Sequence, residues 1–348
     1  MIYSVKSVES ANPRYILNKK FSFPLNINSI LVEKVIDLSF FQKYTSLIKE
    51  VYIHPSIFSI PIRDMNGKNI EVSKYLGIEI IQFLYSLEKL NIGVCLVIND
   101  IFNLEMDNTI NDCISLIQEY SFFTSAVLPN KKYISLFRNA VPNIELKNTV
   151  LLIPTYEEIL NGDYDDFDVI YLHDEIIHNH DKFLEIKGLK KFGTVVNFHN
   201  CNTGCTVKQL HYKHNCWDIE NTFKYCCTHD YSPLEKVLKN NSIPMDTKEF
   251  LYYSDVLDIY KLQGRQDDFQ FLKSVRIIEG IFNNSLTDKT LISRIGNMNF
   301  LKWKLQTRNC GGNCIECKNS TCDEILKVKS QNIEKENNNA ISVCKRTH

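Results

Sequence analysis

Several things are missing from this sequence, and each absence narrows its function. No run of about 18 apolar residues occurs, which argues against a transmembrane helix. The first residues, MIYSVKSVESANPRY, lack the apolar core of a signal peptide. Charge of one sign is lacking too. The 40 Lys and Arg are balanced by 41 Asp and Glu, a net charge of −1, so nothing global points to nucleic acid or an anionic membrane. There is no Gly-x-Ser-x-Gly elbow, no His-Glu-x-x-His and no phosphate loop. No glycine-rich dinucleotide loop follows any predicted strand. The expected location is the cytoplasm, where thiols stay reduced and clustered cysteines read as metal sites rather than disulfides.

What the sequence has is cysteine, 12 in all, and nine of them fall in two knots. The first holds Cys201, Cys205, Cys216, Cys226 and Cys227. The second is Cys310-x3-Cys314-x2-Cys317-x4-Cys322. Core cysteines scatter singly, whereas thiols two to four residues apart on glycine-bearing loops suit thiolate ligation of a metal. For the first knot the expected cofactor is a 4Fe–4S cluster, which takes four thiolates, or three with one iron left open. Cys201, Cys205 and Cys227 are the leading ligands, with Cys216 or Cys226 as the fourth, and Gly204 lets the backbone wrap closely. A set of reduced, unliganded thiols is the plain alternative. The second knot closes a self-contained four-ligand site that suits a second 4Fe–4S cluster or zinc, including a purely structural zinc knuckle. Twelve thiols also suit life without oxygen.

Short apolar runs alternate with segments of helical periodicity. The predicted strands are 21–25, 50–53, 93–98, 125–128, 149–153, 169–172, 194–197 and 256–262. The predicted helices are 30–48, 72–90, 110–120, 131–140, 156–160, 182–191 and 267–282. Continuous apolar runs such as GVCLVI and TVLLI fit parallel strands buried on both faces. Eight repeats of this rhythm predict an α/β fold, a (β/α)8 TIM-like barrel, with a doubly wound open sheet as the alternative. In domain terms, residues 1–300 form the barrel, with an irregular cysteine-containing insertion at about 198–248. Residues 301–326 form a small cysteine-rich module, and the polar stretch 327–348 is a disordered tail. From Leu301 onward nine Lys and Arg face five Asp and Glu, a local net of +4 that reads as a solvated tail rather than a binding patch.

Polar residues gather at strand ends, where a barrel builds its active site: Asn99 and Asp100, Asn130, His173 and Asp174, and Asn197 with His199. The first knot begins directly after 194–197, on that same face. Lys261 and Arg265, at the end of the last strand, are the candidate catalytic residues, able to grip a carboxylate or phosphate. A salt bridge plus a glycine turn at Gly264 is their plain reading. His173, His178 and His180 lie near Asp174, but their spacing is irregular, and Asn179 reads as a helix cap in a solvated loop.

With these residues assembled, the chain resembles the collagenase-like peptidase family U-32. Three stretches carry the likeness: Ser125-Ala-Val-Leu-Pro-Asn130 through Phe137 and Pro142; the strand at 194–197 with Cys201-x3-Cys205 and His211; and Leu257-Asp-Ile-Tyr-Lys261-Leu-Gln-Gly-Arg265, similar to the family's D-x-x-K-I-E-G-R. They fall within residues 120–280. Gln263 stands where the family has Glu, Lys208 where related chains often have Arg, and the cysteine immediately upstream of the last motif is missing. The resemblance implies a barrel with a 4Fe–4S cluster. It also implies an oxygen-independent hydroxylation-type modification of a small molecule, RNA or peptide, since characterised relatives hydroxylate ubiquinone precursors, transfer RNA and ribosomal RNA. Other relatives are described as peptidases, which makes a peptidase the second reading. A non-catalytic iron–sulfur partner or electron-transfer subunit is the third. The expected partners are an anionic substrate and a protein partner or homologous subunit. Nucleic acid is allowed by the resemblance but not indicated by charge, and no membrane is involved.

Overall fold

The structure, a computed structural model, describes residues 20–58, 60, 74–99, 106–152, 154–177, 179–196, 253–265 and 268–285. Eight parallel strands close on themselves: β1 (Phe21–Pro24), β2 (Ile48–Ile53), β3 (Gly93–Val97), β4 (Phe123–Leu128), β5 (Glu145–Asn148), β6 (Val169–Tyr171), β7 (Lys191–Val196) and β8 (Leu257–Leu262). Each pairs with its sequence neighbours, and β8 closes the ring on β1 through Phe21 opposite Tyr260 and Ser22 opposite Lys261. This is the predicted (β/α)8 barrel, and the open-sheet alternative falls with the closure.

Helices separate the strands. They are α1 (Leu38–Tyr44), α2 (Lys74–Lys89), α3 (Asp107–Glu119), α4 (Ile134–Ala140), α5 (Tyr156–Leu160), α6 (Asp174–Ile177), α7 (His180–Glu185) and α8 (Asp268–Phe282). Local chemistry sets several starts. Asp37 accepts from the Ser39 N–H ahead of α1, Thr155 and Glu158 form a capping box on α5, and Asn179 accepts from the Lys182 N–H ahead of α7. The main core lies between the strands and the helices. Near the seam, Phe23 of β1 packs against Phe40 and Phe41 of α1 and Phe271 of α8, with ring centroids 5.5, 5.7 and 5.6 Å away.

Three predicted elements are corrected. The fifth strand is not 149–153. It is Glu145–Asn148, and Val150–Leu152 forms a short 3-10 turn beyond it. Glu145 and Lys147 find opposite charges inside the barrel, so a charged tetrapeptide can be a buried strand. The predicted helix 30–48 divides into a π-helical turn, Asn28–Val32, and the short α1, and Ile48 already belongs to β2. The predicted helix 182–191 ends at Glu185, and Lys191 opens β7, three residues before the predicted start at Thr194. No helix among the described residues is long and apolar enough to cross a membrane.

Candidate functional site

Strand side chains alternate between the two faces of the barrel wall. One face meets the helices. The other fills the barrel with a separate cluster of Tyr52, Cys95, Val97, Val127, Val169, Tyr171 and Ile259. Glu50, Ser125, Lys147 and Lys261 lie at the same alternation, so the interior carries a column of charge among apolar rings.

At the N-terminal end of the barrel, Glu145 accepts from Lys49 at 2.6 Å and pairs with Lys147 and Lys191, both at 3.4 Å. One layer up, Lys147 Nζ donates to both oxygens of Glu50 at 2.6 Å, and Ser125 Oγ donates to Glu50 Oε2 at 2.7 Å. Burial pushes the Glu50 carboxyl up, and the charges of Lys147 and Lys49 with the two hydrogen bonds more than reverse it, leaving it below the usual carboxylate range. Burial likewise opposes the charge on Lys147, but Glu50 overrides it and holds the ammonium protonated.

Above this pair, toward the strand ends, Lys261 stands alone. Its Nζ lies 4.6 Å from the centroid of the Tyr52 ring and 5.9 Å from that of Tyr171. No carboxylate or carbonyl among the described residues accepts from it, although only 9% of the residue is exposed. Burial lowers its pKa to about 8, the charges of Arg265 and Lys147 push the same way, and Cys95 and Glu50 oppose them. Tyr52 is fixed by a 2.7 Å hydrogen bond from its hydroxyl to the Leu262 carbonyl. The Tyr171 hydroxyl is buried with no hydrogen-bond partner among the described residues, and burial raises its pKa well above normal.

Arg265 follows β8 across Gly264, whose φ of +124° is a glycine conformation. The turn is pinned from several sides. Asn26 Nδ2 donates to the Gly264 carbonyl at 3.1 Å and to Asp268 Oδ1 at 2.9 Å, Ser29 Oγ donates to Asp268 Oδ1 at 2.7 Å, and Ser274 Oγ donates to the Gln263 carbonyl at 2.5 Å. Half-buried Arg265 is thereby held where its charge is felt by both Lys261 and Tyr52. The structure therefore brings Lys261 and Arg265 together at the barrel mouth. It adds Tyr52, Tyr171, Cys95 and the Glu50–Lys147 pair, which the sequence reading did not single out.

All nine knot cysteines, Cys201, Cys205, Cys216, Cys226, Cys227, Cys310, Cys314, Cys317 and Cys322, lie outside the described residues. Two other cysteines are described, Cys95 and Cys113. Each is buried and free, and burial raises the Cys95 thiol to about 11 and the Cys113 thiol higher still. Neither is suited to give up its proton to a metal. Among the described residues no three His, Cys, Asp or Glu side chains gather as a metal site. His178 of the histidine group also falls outside the described residues.

Two other features invite a catalytic reading and do not sustain it. His54 Nδ1 lies 2.8 Å from Ser56 Oγ, but the same nitrogen accepts from the Ser56 N–H at 3.3 Å, at the start of the 3-10 turn Pro55–Phe58. That nitrogen serves the turn and is a poor general base. A cleft of about 560 Å³ is lined by Asp168, Lys187, Lys191, Asp255 and Asp258. It lies at the N-terminal ends of the strands, whereas barrel chemistry gathers at the C-terminal ends.

No family model and no curated protein matches the chain. Several solved structures are similar at very low identity. A U32 peptidase, Mk0906, aligns over 62% of this chain and 85% of its own at 9% identity, with a TM-score of 0.40. A putative lyase/mutase from Burkholderia cenocepacia aligns over 84% of this chain and 90% of its own at 8% identity, with a TM-score of 0.38. A putative alpha-L-fucosidase from Bacteroides thetaiotaomicron aligns over 77% of this chain and 94% of its own at 10% identity, with a TM-score of 0.40.

Proposed function

We propose that this protein is an iron–sulfur enzyme that binds an anionic substrate at the C-terminal mouth of its barrel and modifies it without molecular oxygen, in a hydroxylation-type reaction. The observation that carries the substrate half is Lys261, a buried amine with no acidic partner among the described residues. A buried cation without a counter-charge is costly, and a bound carboxylate or phosphate relieves that cost while restoring the proton to Nζ. Arg265 adds a second cation whose planar fork can take the same anion in two hydrogen bonds. Tyr52 and Tyr171 give the substrate an apolar floor and keep water from Nζ, so the charge is felt strongly.

The cofactor half rests on the chemistry of the donors. Cys95 and Cys113 are buried as free thiols, which leaves the nine clustered cysteines as the leading donors beside the lone Cys344. Cys201 and Cys205 follow β7 in the sequence, and β7 pairs with β8 through Val195 opposite Lys261. The set Cys201, Cys205, Cys216, Cys226 and Cys227 contains enough thiolates for a 4Fe–4S cluster, and Cys310, Cys314, Cys317 and Cys322 for a second cluster or zinc. Such a cluster, when bound, supplies single electrons or an open iron that acts as a Lewis acid. The chain's own part is to hold the anion at Lys261 and Arg265 and orient it against the aromatic floor.

The test is metal and sulfide analysis with a visible spectrum on protein purified without oxygen. About eight irons, or about four with one zinc, support the cofactor half, and zinc alone or no metal removes it. Calorimetric titration with small carboxylates and phosphate, on the wild type and on Lys261→Met, tests the substrate half.

A further inference from the structure

We propose that Lys261 captures its substrate covalently, its Nζ forming an imine with the carbonyl carbon of a small 2-oxo acid whose carboxylate is held by Arg265. The inference rests on the anion-binding reading above and names the class of anion. Four features of the site carry it. Nζ engages no acceptor among the described residues, so its lone pair is not committed to a structural role once the proton is gone. The side chain is not loose, because β8 is paired on both sides and the Tyr52 ring beneath Nζ is tied to the Leu262 carbonyl. Nζ is also shut away from water between the Tyr52 and Tyr171 rings, and that desolvation favours the neutral amine against the pull of the ring faces on the cation.

The fourth feature is a division of labour between two buried lysines. Lys147 is clamped by both oxygens of Glu50 and held charged, so it is not a nucleophile. Its fixed charge helps to lower the proton affinity of Lys261, as does that of Arg265. Glu50 keeps Lys147 cationic, and that cation, with burial and Arg265 and against the opposing charge of Glu50, brings Lys261 down to about 8, where a reactive neutral fraction is present near neutral pH. A lysine serving only as a charge anchor gains nothing from this arrangement, whereas an amine nucleophile near neutral pH does.

The step balances without an added oxidant or reductant. The Nζ lone pair adds to the carbonyl carbon and forms the C–N bond. Both hydrogens of the neutral amine then leave with the carbonyl oxygen as water, giving the C=N double bond. Once protonated, the imine draws electrons from the neighbouring carbon, C3 of the 2-oxo acid, and makes its C–H bond easier to break.

The experiment treats the full chain with pyruvate and sodium cyanoborohydride near pH 8, then maps the reduced adduct by peptide mass spectrometry. We expect one dominant adduct, on Lys261. It should be absent in Lys261→Arg, which keeps the charge but not the neutral amine, and at least tenfold slower to form in Arg265→Gln. Labelling of Lys261 no greater than that of exposed lysines such as Lys187, or no adduct at all, overturns the proposal. Calorimetric titration of pyruvate and of lactate, which lacks the carbonyl, reports separately on the anion site. If both bind and no adduct forms, the anion site stands and the imine falls. If neither binds and no adduct forms, both readings fall.

Discussion

Lys147 of β5 reaches across the barrel to Glu50 of β2, its Nζ 2.6 Å from each carboxylate oxygen, and neither side chain has any exposure. The two strands are not neighbours in the sheet, so the pair ties separate walls of the interior. Removing one partner leaves the other buried with only weaker compensation, Glu145 at 3.4 Å from Lys147 or the charge of Lys49 on Glu50. Glu50→Gln or Lys147→Met alone should therefore lower unfolding stability by about 3–5 kcal/mol. The double change Glu50→Leu with Lys147→Met should recover most of that loss, because the desolvation cost of both charges disappears together. Urea unfolding of the three variants measures this, and single changes costing under about 1 kcal/mol would show that water reaches the pair.

A second prediction concerns acid. Burial raises the Glu145 carboxyl, and the charges of Lys147, Lys49 and Lys191 with the Lys49 hydrogen bond outweigh that effect, bringing it to about 2. The folded value lies below the ordinary 4.5, so the unfolded chain binds the proton first as pH falls. The contribution of Glu145 is complete above about pH 4.5 and drains away between there and about pH 2. Glu50 shifts in the same direction and adds to the slope. Glu145→Gln should flatten the fall in melting temperature over this window, and an unchanged slope would remove Glu145 from the account.

These charges explain what the sequence could and could not reveal. Seven of the eight strands were legible because their apolar or aromatic runs stand out, and only their ends needed adjusting. The fifth was misplaced by a few residues because Glu-Leu-Lys-Asn does not resemble a buried strand, while the adjacent Val-Leu-Leu does. The signal was non-local: Glu145 and Lys147 make sense only beside Glu50, Lys49 and Lys191, which other strands bring to them. Lys261 and Arg265 were legible through their motif. Tyr52, Tyr171 and Cys95 were not, since alternation along a strand that is buried on both faces leaves no polar contrast to read.

Gly264 was noticed only as a turn, and the structure gives it a stricter role. At φ +124° a Cβ would lie 2.3 Å from Phe271 N and 2.4 Å from its Cα, in the backbone of the α8 helix. Neither atom can yield without moving the helix. Gly264→Ala should cost roughly 2–4 kcal/mol from backbone strain and overlap together. It should also weaken anion binding through displacement of Arg265. Chemical denaturation with calorimetry on the same variant checks both effects, and normal stability would mean the turn can re-form.

Lys261 offers the sharpest test of whether this end of the barrel is built for binding rather than for stability. Its folded pKa of about 8 lies below the ordinary 10.5, chiefly through burial. At neutral pH the fold therefore bears the cost of enclosing a charge. Between about pH 8 and 10.5 the unfolded chain keeps a proton that the folded chain has released, so stability rises with pH across that window. Lys261→Met keeps the length and apolar body of the side chain and removes the charge. It should stabilise the protein at pH 7 by roughly 1–3 kcal/mol, with the gain shrinking above pH 8 and vanishing near 10.5. The same substitution should abolish binding of small carboxylates, whose affinity for the wild type should fall as Nζ loses its proton. A purely structural lysine would behave in the opposite way, its loss destabilising the fold at every pH. Thermal melts of the two proteins from pH 6 to pH 11, paired with anion titrations, separate the cases: a less stable Lys261→Met at pH 7 would mean that the buried amine is already compensated, and the mouth of the barrel would lose its claim to an anion.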